Sequence, residues 1–394
     1  MPGTLKKPRI LFLDQTGQLG GAELYLADVA EFYSSQCSVT LFQDGPFRSL
    51  LEKRGVSVSI LSLDRASAMV SKGAGLRSLL MGGPRTLTLA CRVAKQARDF
   101  DLIYANTAKA LIVGSVASLL ASRPLLYHLH DIISADHFSP LNRRLLVTFG
   151  NRARAVVANS EATRRAFIAS GGRPERTHVA YNGFDPAIYS EANAAESNRL
   201  RAEFGIGDAP CVLMVGRLTP WKGQHLLLEA IGTLLGVHAV IAGGALFTDE
   251  DRAYADQLHH RASAPDLSGR VHFAGFRDDL PSWYQMAELV VNASSSPEPF
   301  GRVIVEGMLA GKPVIATRGG GASEIITDGE TGYLVESNNV EELSRVIQSI
   351  LANTEKSGSI ADRGREHARR KFSKEAVLEG LDEIVATEFP GVAV

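Results

Sequence analysis

Cysteine is scarce in this chain. Three occur among 394 residues, Cys37, Cys91 and Cys211, far apart and without a C-x-x-C pair. That argues against a disulfide framework and a zinc ribbon, and it suits a reducing compartment. No G-x-G-x-x-G fingerprint occurs, which counts against a dinucleotide-dependent dehydrogenase. The longest apolar stretch, Ala110–Ala121, falls short of the ~20 residues that span a bilayer. The apolar run Ile10–Leu13 is too short for a signal-peptide core. A cytoplasmic protein is expected. Excess charge is lacking too: 42 Lys and Arg stand against 43 Asp and Glu. With 45% hydrophobic residues, 37 Gly and 16 Pro, the composition is ordinarily globular. It excludes disordered, collagen-like and coiled-coil classes. The length suffices for two domains of roughly 100–200 residues each.

The balanced charge hides an asymmetry. Residues 1–188 hold 23 Lys and Arg against 14 Asp and Glu, and the remainder holds 19 against 29. A basic first half suits an anionic partner, although surface charge also varies between domains for no functional reason.

Apolar runs alternate with helical patterns along both halves. Arg9–Asp14, Ser38–Phe42, Val56–Ile60, Asp101–Tyr104, Pro124–His128 and Ala155–Ala158 read as strands. The rhythm restarts with Cys211–Val215, His238–Ala242, Val271–Ala274, Leu289–Asn292, Pro313–Ala316 and Gly332–Val335. Such βαβ alternation predicts two doubly wound Rossmann-like α/β domains. The expected extents are 1–188 and 189–372, joined by a polar linker at 186–198. A helix in 373–394 is expected to cross back to the first domain. Ligands of such sheets bind beyond the carboxyl ends of the strands, which places the expected site in a cleft where the two domains face each other.

Four segments carry candidate chemistry. In Glu298-Pro-Phe300-Gly301-Arg-Val-Ile-Val-Glu306 a loop opens a helix. Unpaired N–H groups at a helix start suit a phosphate, and flanking carboxylates can accept from sugar hydroxyls. The plainer account is a Glu near a helix N-terminus for dipole reasons and another on a solvated face. In Gly216-Arg217-Leu-Thr-Pro-Trp-Lys222-Gly223 two cations flank a Pro-Trp turn. They can clamp a diphosphate or stand as solvated surface charges. Gly17-Gln-Leu-Gly20-Gly21 permits close backbone approach at a helix start, or is simply a tight turn. In His128-Leu-His130-Asp131 the alternation puts both imidazoles on one face, with His130 at the strand's carboxyl end. No further ligand pair with metal spacing accompanies them. Asp249-Glu250-Asp251 begins a helical stretch, and helix capping accounts for it.

The order Gly20-Gly21-Ala22-Glu23, His130-Asp131, Asn159-Ser160, Asn182-Gly183-Phe184-Asp185, Gly216-Arg217…Lys222-Gly223, Gly275-Phe276 and Glu298…Glu306 resembles the retaining glycosyltransferases of family GT4, on the GT-B fold. The likeness runs over nearly the whole chain. His128 is an extra histidine, and Ala66–Arg85 matches no part of the pattern. The resemblance implies that Arg217 and Lys222 bind a donor diphosphate, that Glu306 holds the ribose, and that Glu298 holds the transferred sugar. It implies backbone contacts from Phe300 and Gly301 and a base pocket lined by Phe276 and Arg277. Gly20, Gly21, Gly216 and Gly243 would approach the donor, with His130 beside the reacting sugar.

The function so implied is hexose transfer from a nucleotide-diphosphate sugar, UDP-glucose foremost, without a cofactor or bound metal. The acceptor would be a saccharide or a lipid-linked saccharide, on a route to cell-surface polysaccharide. An epimerase of the same fold and a non-catalytic nucleotide-sugar binder are the alternatives. The first half offers Arg77, Arg85, Arg92, Lys95 and Arg98 interleaved with leucines, and Arg143, Arg144, Arg152 and Arg154. Such a mixture suits an anionic membrane surface on the inner face, or forms solvated helix faces. It lacks the aromatics that nucleic-acid stacking needs.

Overall fold

The computed structural model describes residues 7–62, 83–135, 138–190, 194–245, 248–277 and 279–390. Most of Ala66–Arg85, Arg77 included, lies outside the described residues. The chain divides into two units, Met1–Gly183 with Lys374–Val394, and Phe184–Ser373. Each is built on its own parallel sheet.

The first unit holds β1 (Ile10–Asp14), β2 (Cys37–Leu41), β3 (Ser57–Ile60), β4 (Leu102–Ala105), β5 (Leu125–Leu129), β6 (Ala155–Ala158) and β7 (Thr177–Val179). Their order across the sheet is β3-β2-β1-β4-β5-β6-β7. The central strands are apolar at nearly every position because helices cover both faces, as parallel sheets require. Ile10, Phe12, Val39, Leu102 and Tyr104 meet the helix Gly21–Phe32 on one face. Leu11, Leu13, Ile103 and Leu125 meet the helices Gly83–Ala97 and Ala108–Ala121 on the other. β7 is short and follows a Gly-Gly-Arg-Pro turn, so no apolar run announces it.

The second unit holds β8 (Cys211–Val215), β9 (His238–Ala242), β10 (Val271–Gly275), β11 (Leu289–Asn292), β12 (Val314–Thr317) and β13 (Tyr333–Val335). Their order is β10-β9-β8-β11-β12-β13, and every pairing is parallel. The segment expected as a polar linker is helical instead, over Pro186–Ser190 and Ala194–Glu203. Leu200 is buried there. Ser197 Oγ donates to the Ser282 carbonyl at 3.2 Å, and Arg201 reaches the Met286 carbonyl at 2.5 Å. A polar helix with few apolar anchors resembles a linker in composition alone. The chain passes between units at Gly183–Phe184, ahead of the expected 188.

The last helix, Lys374–Glu388, belongs to the first unit. Val377, Leu378, Leu381 and Val385 enter the core beside Gly21–Phe32. Lys374 pairs with Asp28 at 3.1 Å and Glu31 at 2.8 Å, and the Tyr33 hydroxyl donates to Asp382 at 2.5 Å. No helix among the described residues is long and apolar enough to cross a membrane. Truncating fully buried Leu381 to alanine leaves a cavity where the helix docks. The Leu381→Ala variant should lose about 2–5 kcal/mol of stability, measured by chemical denaturation.

Candidate functional site

In the second sheet the strand order reverses between β8 and β11. Loops diverge at such a point and leave a crevice beyond the carboxyl ends of the strands. Gly216–Gly223 follows β8, Gly243 follows β9, Phe276 and Arg277 follow β10, and the loop to Gly301 follows β11. Close backbone packing draws these loops together. A Cβ at Gly243 would lie 1.8 Å from the Gly216 carbonyl oxygen. The Gly216 and Leu218 N–H groups donate to the Ala242 and Gly244 carbonyls at 2.9 and 3.1 Å. Gly223, with φ 77°, brings the Pro220–Lys222 turn against β11, where a Cβ would lie 1.9 Å from the Ala293 carbonyl oxygen. The Ser295 N–H donates to the Trp221 carbonyl at 2.8 Å.

That approach creates a pair the residue spacing does not foretell. Lys222 Nζ donates to Glu298 Oε1 at 2.5 Å, with the two side chains 17% and 6% exposed. The Ser294 hydroxyl at 2.5 Å and the Asn292 amide at 3.1 Å donate to the same oxygen. Burial pulls the Glu298 carboxyl upward. The Lys222 ammonium, with help from Ser294 and Asn292, outweighs it and holds the group below its ordinary value. Glu298 is therefore a buried carboxylate with three donors on one oxygen.

Glu306 lies on the helix Arg302–Leu309, which Gly301 caps. It is buried, and its Oε2 accepts from the Tyr284 hydroxyl at 2.8 Å. Its Oε1 lies 3.5 Å from Arg302 Nη2. Burial first, then the Glu306 charge, raises Tyr284 well above its ordinary value, so it stays a neutral donor. The Phe300 ring stacks near Phe184 at 6.3 Å and meets Phe372 edge-on at 5.6 Å. Phe276 is 55% exposed at the mouth of β10. Arg277 lies over the Trp283 ring at 4.6 Å. Arg217 is half-buried, and its carbonyl takes the Gln224 amide at 2.7 Å.

The first sheet repeats the scheme. Its order reverses between β1 and β4, with Gly20 and Gly21 opening the helix after β1 and His130 just past β5. His128 and His130 stack at 4.2 Å. Burial, and then the neighbouring His130, lowers His128 well below its ordinary value. The Tyr104 hydroxyl bonds to His128 Nδ1. His130 Nε2 meets the Asn106 side-chain oxygen at 2.9 Å, and Asn106 in turn donates to Asp14 at 2.7 Å. Burial and the nearby Glu23 raise Asp14 well above its ordinary value.

Arg217, Lys222, Glu298, Gly301 and Glu306 thus belong to one unit, with Gly216, Gly243, Phe276, Arg277 and Phe300, while Gly20, Gly21 and His130 belong to the other. Reading the residues missed Tyr284, Arg302, Ser294 and Asn292 around the two carboxylates, and Asp14 and Asn106 beside His130. The strand-end rule that singles out His130 applies equally to Asn106, which follows β4. Asp249–Asp251 starts the helix Asp249–Ala262, and Thr248 caps it by accepting from the Asp251 N–H at 3.0 Å.

Residues 196–367 match the family described as glycosyl transferases group 1, and residues 19–188 match glycosyltransferase family 4. The Anabaena protein Alr3699/HepE, solved in complex with UDP-glucose, is 40% identical. It covers 96% of this chain and 99% of its own, with a TM-score of 0.87. The chain belongs to glycosyltransferase family 4. Its two parallel-sheet units are those of the GT-B fold. Among curated relatives, the lipopolysaccharide core biosynthesis glycosyltransferase LpsE of Rhizobium meliloti is 36% identical over 46% of this chain and 51% of its own length. A GDP-mannose-dependent alpha-(1-6)-phosphatidylinositol monomannoside mannosyltransferase of Mycolicibacterium smegmatis is 27% identical over 71% of this chain and 75% of its own. The chain spans about half the length of the first curated relatives it matches, 51% for LpsE.

In this family 4 chain the buried ion pair gives a direct test. Lys222→Met strands the Glu298 carboxylate without its cation and should cost about 3–5 kcal/mol, most of it regained in Lys222→Met/Glu298→Gln. Glu298 titrates below its ordinary 4.5 in the folded chain. Its pairing therefore stabilises fully above that value and is lost as pH falls through the lower folded value. The stability gap between wild type and Glu298→Gln should close over that acid interval in denaturation curves.

Proposed function

We propose that this chain transfers a hexose from a nucleotide-diphosphate sugar, UDP-glucose foremost, with retention of the anomeric configuration. The observation that carries the reading is the Glu298 carboxylate. Lys222, Ser294 and Asn292 all bond its Oε1, which leaves Oε2 to accept from the hydroxyls of the sugar. The start of the helix Arg302–Leu309 follows in the same loop, and its N–H groups suit the diphosphate. Lys222 and Arg217 add positive charge there. Glu306 takes the ribose, and exposed Phe276 with Arg277 takes the base. The UDP-glucose complex of a relative 40% identical over nearly the whole chain supports uridine over guanosine.

The chemistry asked of these groups is stabilisation of the departing diphosphate. Fixed cations and helix N–H groups supply it without reorganising during the step. The bond between the anomeric carbon and the phosphate oxygen breaks. The acceptor oxygen bonds on the same face, and its proton passes to the departing phosphate oxygen. No step requires a metal ion or cofactor, because Lys222 and Arg217 carry the neutralising charge.

The acceptor falls to the first unit by this reading, as a saccharide or lipid-linked saccharide at an anionic membrane. The helices Gly83–Ala97, Ala108–Ala121 and Pro140–Gly150 are neighbours on one side of the first sheet. They expose Leu87, Leu119, Leu120 and Leu141. Arg85, Arg92 and Lys95 are exposed on the first of them, which has no acidic residue, and Arg144 on the third. Arg154, also exposed, donates to the Glu388 carbonyl and lies near the Phe389 ring.

Turnover of UDP-glucose in excess EDTA should persist in the wild type. It should fall at least ~10²-fold in Lys222→Ala, since a lost charge-stabilising group costs about 2.7–4 kcal/mol, and as far in Glu306→Ala, which loses the ribose contact that positions the donor. Glu298→Ala should weaken UDP-glucose more than UDP in a thermal-shift titration, and equal losses would remove Glu298 from the sugar. Stronger stabilisation by GDP or ADP than by UDP would overturn the uridine assignment.

The exposed basic and leucine-bearing face should bind anionic vesicles, each Lys or Arg near the surface contributing ~1 kcal/mol. Co-sedimentation should be strong with anionic vesicles at low salt, weak with neutral ones, and reduced in Arg85→Glu/Arg92→Glu.

A further inference from the structure

Gln224 opens the helix Gln224–Gly232, two residues after Lys222. Glutamine is mostly found exposed, yet this one is 0% exposed. Its side-chain nitrogen donates at 2.7 Å to the carbonyl of Arg217, seven residues earlier and ahead of the turn Pro220–Lys222. A backbone carbonyl only accepts, so that bond fixes which way the amide lies. The amide oxygen then has no hydrogen-bond partner among the described residues.

The side chain does not cap its own helix. Gly223 stands at the N-cap without a side-chain bond, and the Tyr254 hydroxyl takes the His225 N–H at 3.1 Å. Packing does not call for a glutamine either. A buried acceptor left unpaired is a cost to the fold, and an apolar side chain of similar shape would avoid it. What the glutamine supplies and an apolar residue does not is the donor to Arg217.

That donor completes the fixing of the backbone around Arg217. The peptide between Arg217 and Leu218 is held at both ends: its N–H donates to the Gly244 carbonyl at 3.1 Å, and its oxygen accepts from Gln224. The peptide between Gly216 and Arg217 packs against Gly243, where a Cβ would lie 1.8 Å from its oxygen. With both flanking peptides set, the direction in which the Arg217 side chain leaves the loop is set too. Lys222 is placed by another route, through its ammonium on Glu298.

We infer that Gln224 is a positioning residue for the diphosphate. It holds the Arg217 carbonyl and so fixes the backbone from which the guanidinium reaches the leaving group. The inference rests on the reading of Arg217 as a diphosphate ligand. Loss of the Gln224 donor therefore weakens ligands that carry the diphosphate and spares the nucleoside alone.

Calorimetric titrations of the full chain with UDP and with uridine test this. Arg217→Ala should weaken UDP about 10- to 100-fold, the scale of hydrogen bonds to a charged group, and leave uridine unchanged. Gln224→Met keeps the shape and removes the donor. It should weaken UDP about tenfold, again with uridine unchanged. In an Arg217→Ala background, Gln224→Met should cost no further UDP affinity. Additive losses, or equal losses for UDP and uridine, would overturn the inference and leave Gln224 a structural residue. Gln224→Asn keeps an amide one methylene short of the carbonyl. It guards against a folding failure of the methionine variant and should show the same split between UDP and uridine. Wild-type UDP affinity in the Gln224 variants, with Arg217→Ala weakened, would overturn the inference and spare the reading of Arg217. Wild-type UDP affinity in Arg217→Ala would overturn that reading, and the inference with it.

Discussion

The second unit is organised around one buried contact, the ammonium of Lys222 on the carboxylate of Glu298. The two groups come from loops after different strands, β8 and β11, and they meet because two backbones approach closely. Gly223 permits that approach, and the Ser295-to-Trp221 hydrogen bond locks it. Either charge alone at that depth would be costly, whereas together they satisfy each other and leave one carboxylate oxygen directed by three donors.

Both units place their polar residues by the same rule. In each sheet the strand order turns back on itself, between β1 and β4 and between β8 and β11. Buried polar side chains stand at those turning points, Asp14 and Asn106 in one unit, Asn292 and Glu298 in the other. Away from them the strands are nearly all apolar. The contrast follows from covering a parallel sheet on both faces, since only the loop ends can carry a charge within reach of a ligand.

Much of this was legible in the residues. The strands of both sheets follow from their apolar runs, and Glu298, Glu306, Arg217 and Lys222 stand out by type and spacing. What was not legible depends on contacts distant in sequence. Tyr284 lies in an apolar helix and looks like core until its hydroxyl is seen on Glu306. The pairing of Lys222 with Glu298 spans 76 residues, and no spacing rule connects them. Asn106 reads as an ordinary helix-start neighbour of Thr107, because its partners Asp14, Ala22 and His130 are distant in sequence. The expected linker at 186–198 runs into the helix Ala194–Glu203, whose polar composition conceals its anchoring by Leu200, Ser197 and the several bonds of Arg201. β7 escaped notice because three residues give too little pattern to read.

The return of the helix Lys374–Glu388 to the first unit sets an order on folding. The second unit is a continuous stretch, Phe184–Ser373, so all its partners are present once that stretch is made. The first unit is not. Its core includes Val377, Leu378, Leu381, Val385 and Phe389, contributed roughly two hundred residues after the rest of that core. Such contacts close the longest loop in the chain, and the entropy of that closure falls due last. During synthesis from the N-terminus the first unit waits with an apolar groove open along Gly21–Phe32, while the second completes. The half that starts first finishes last.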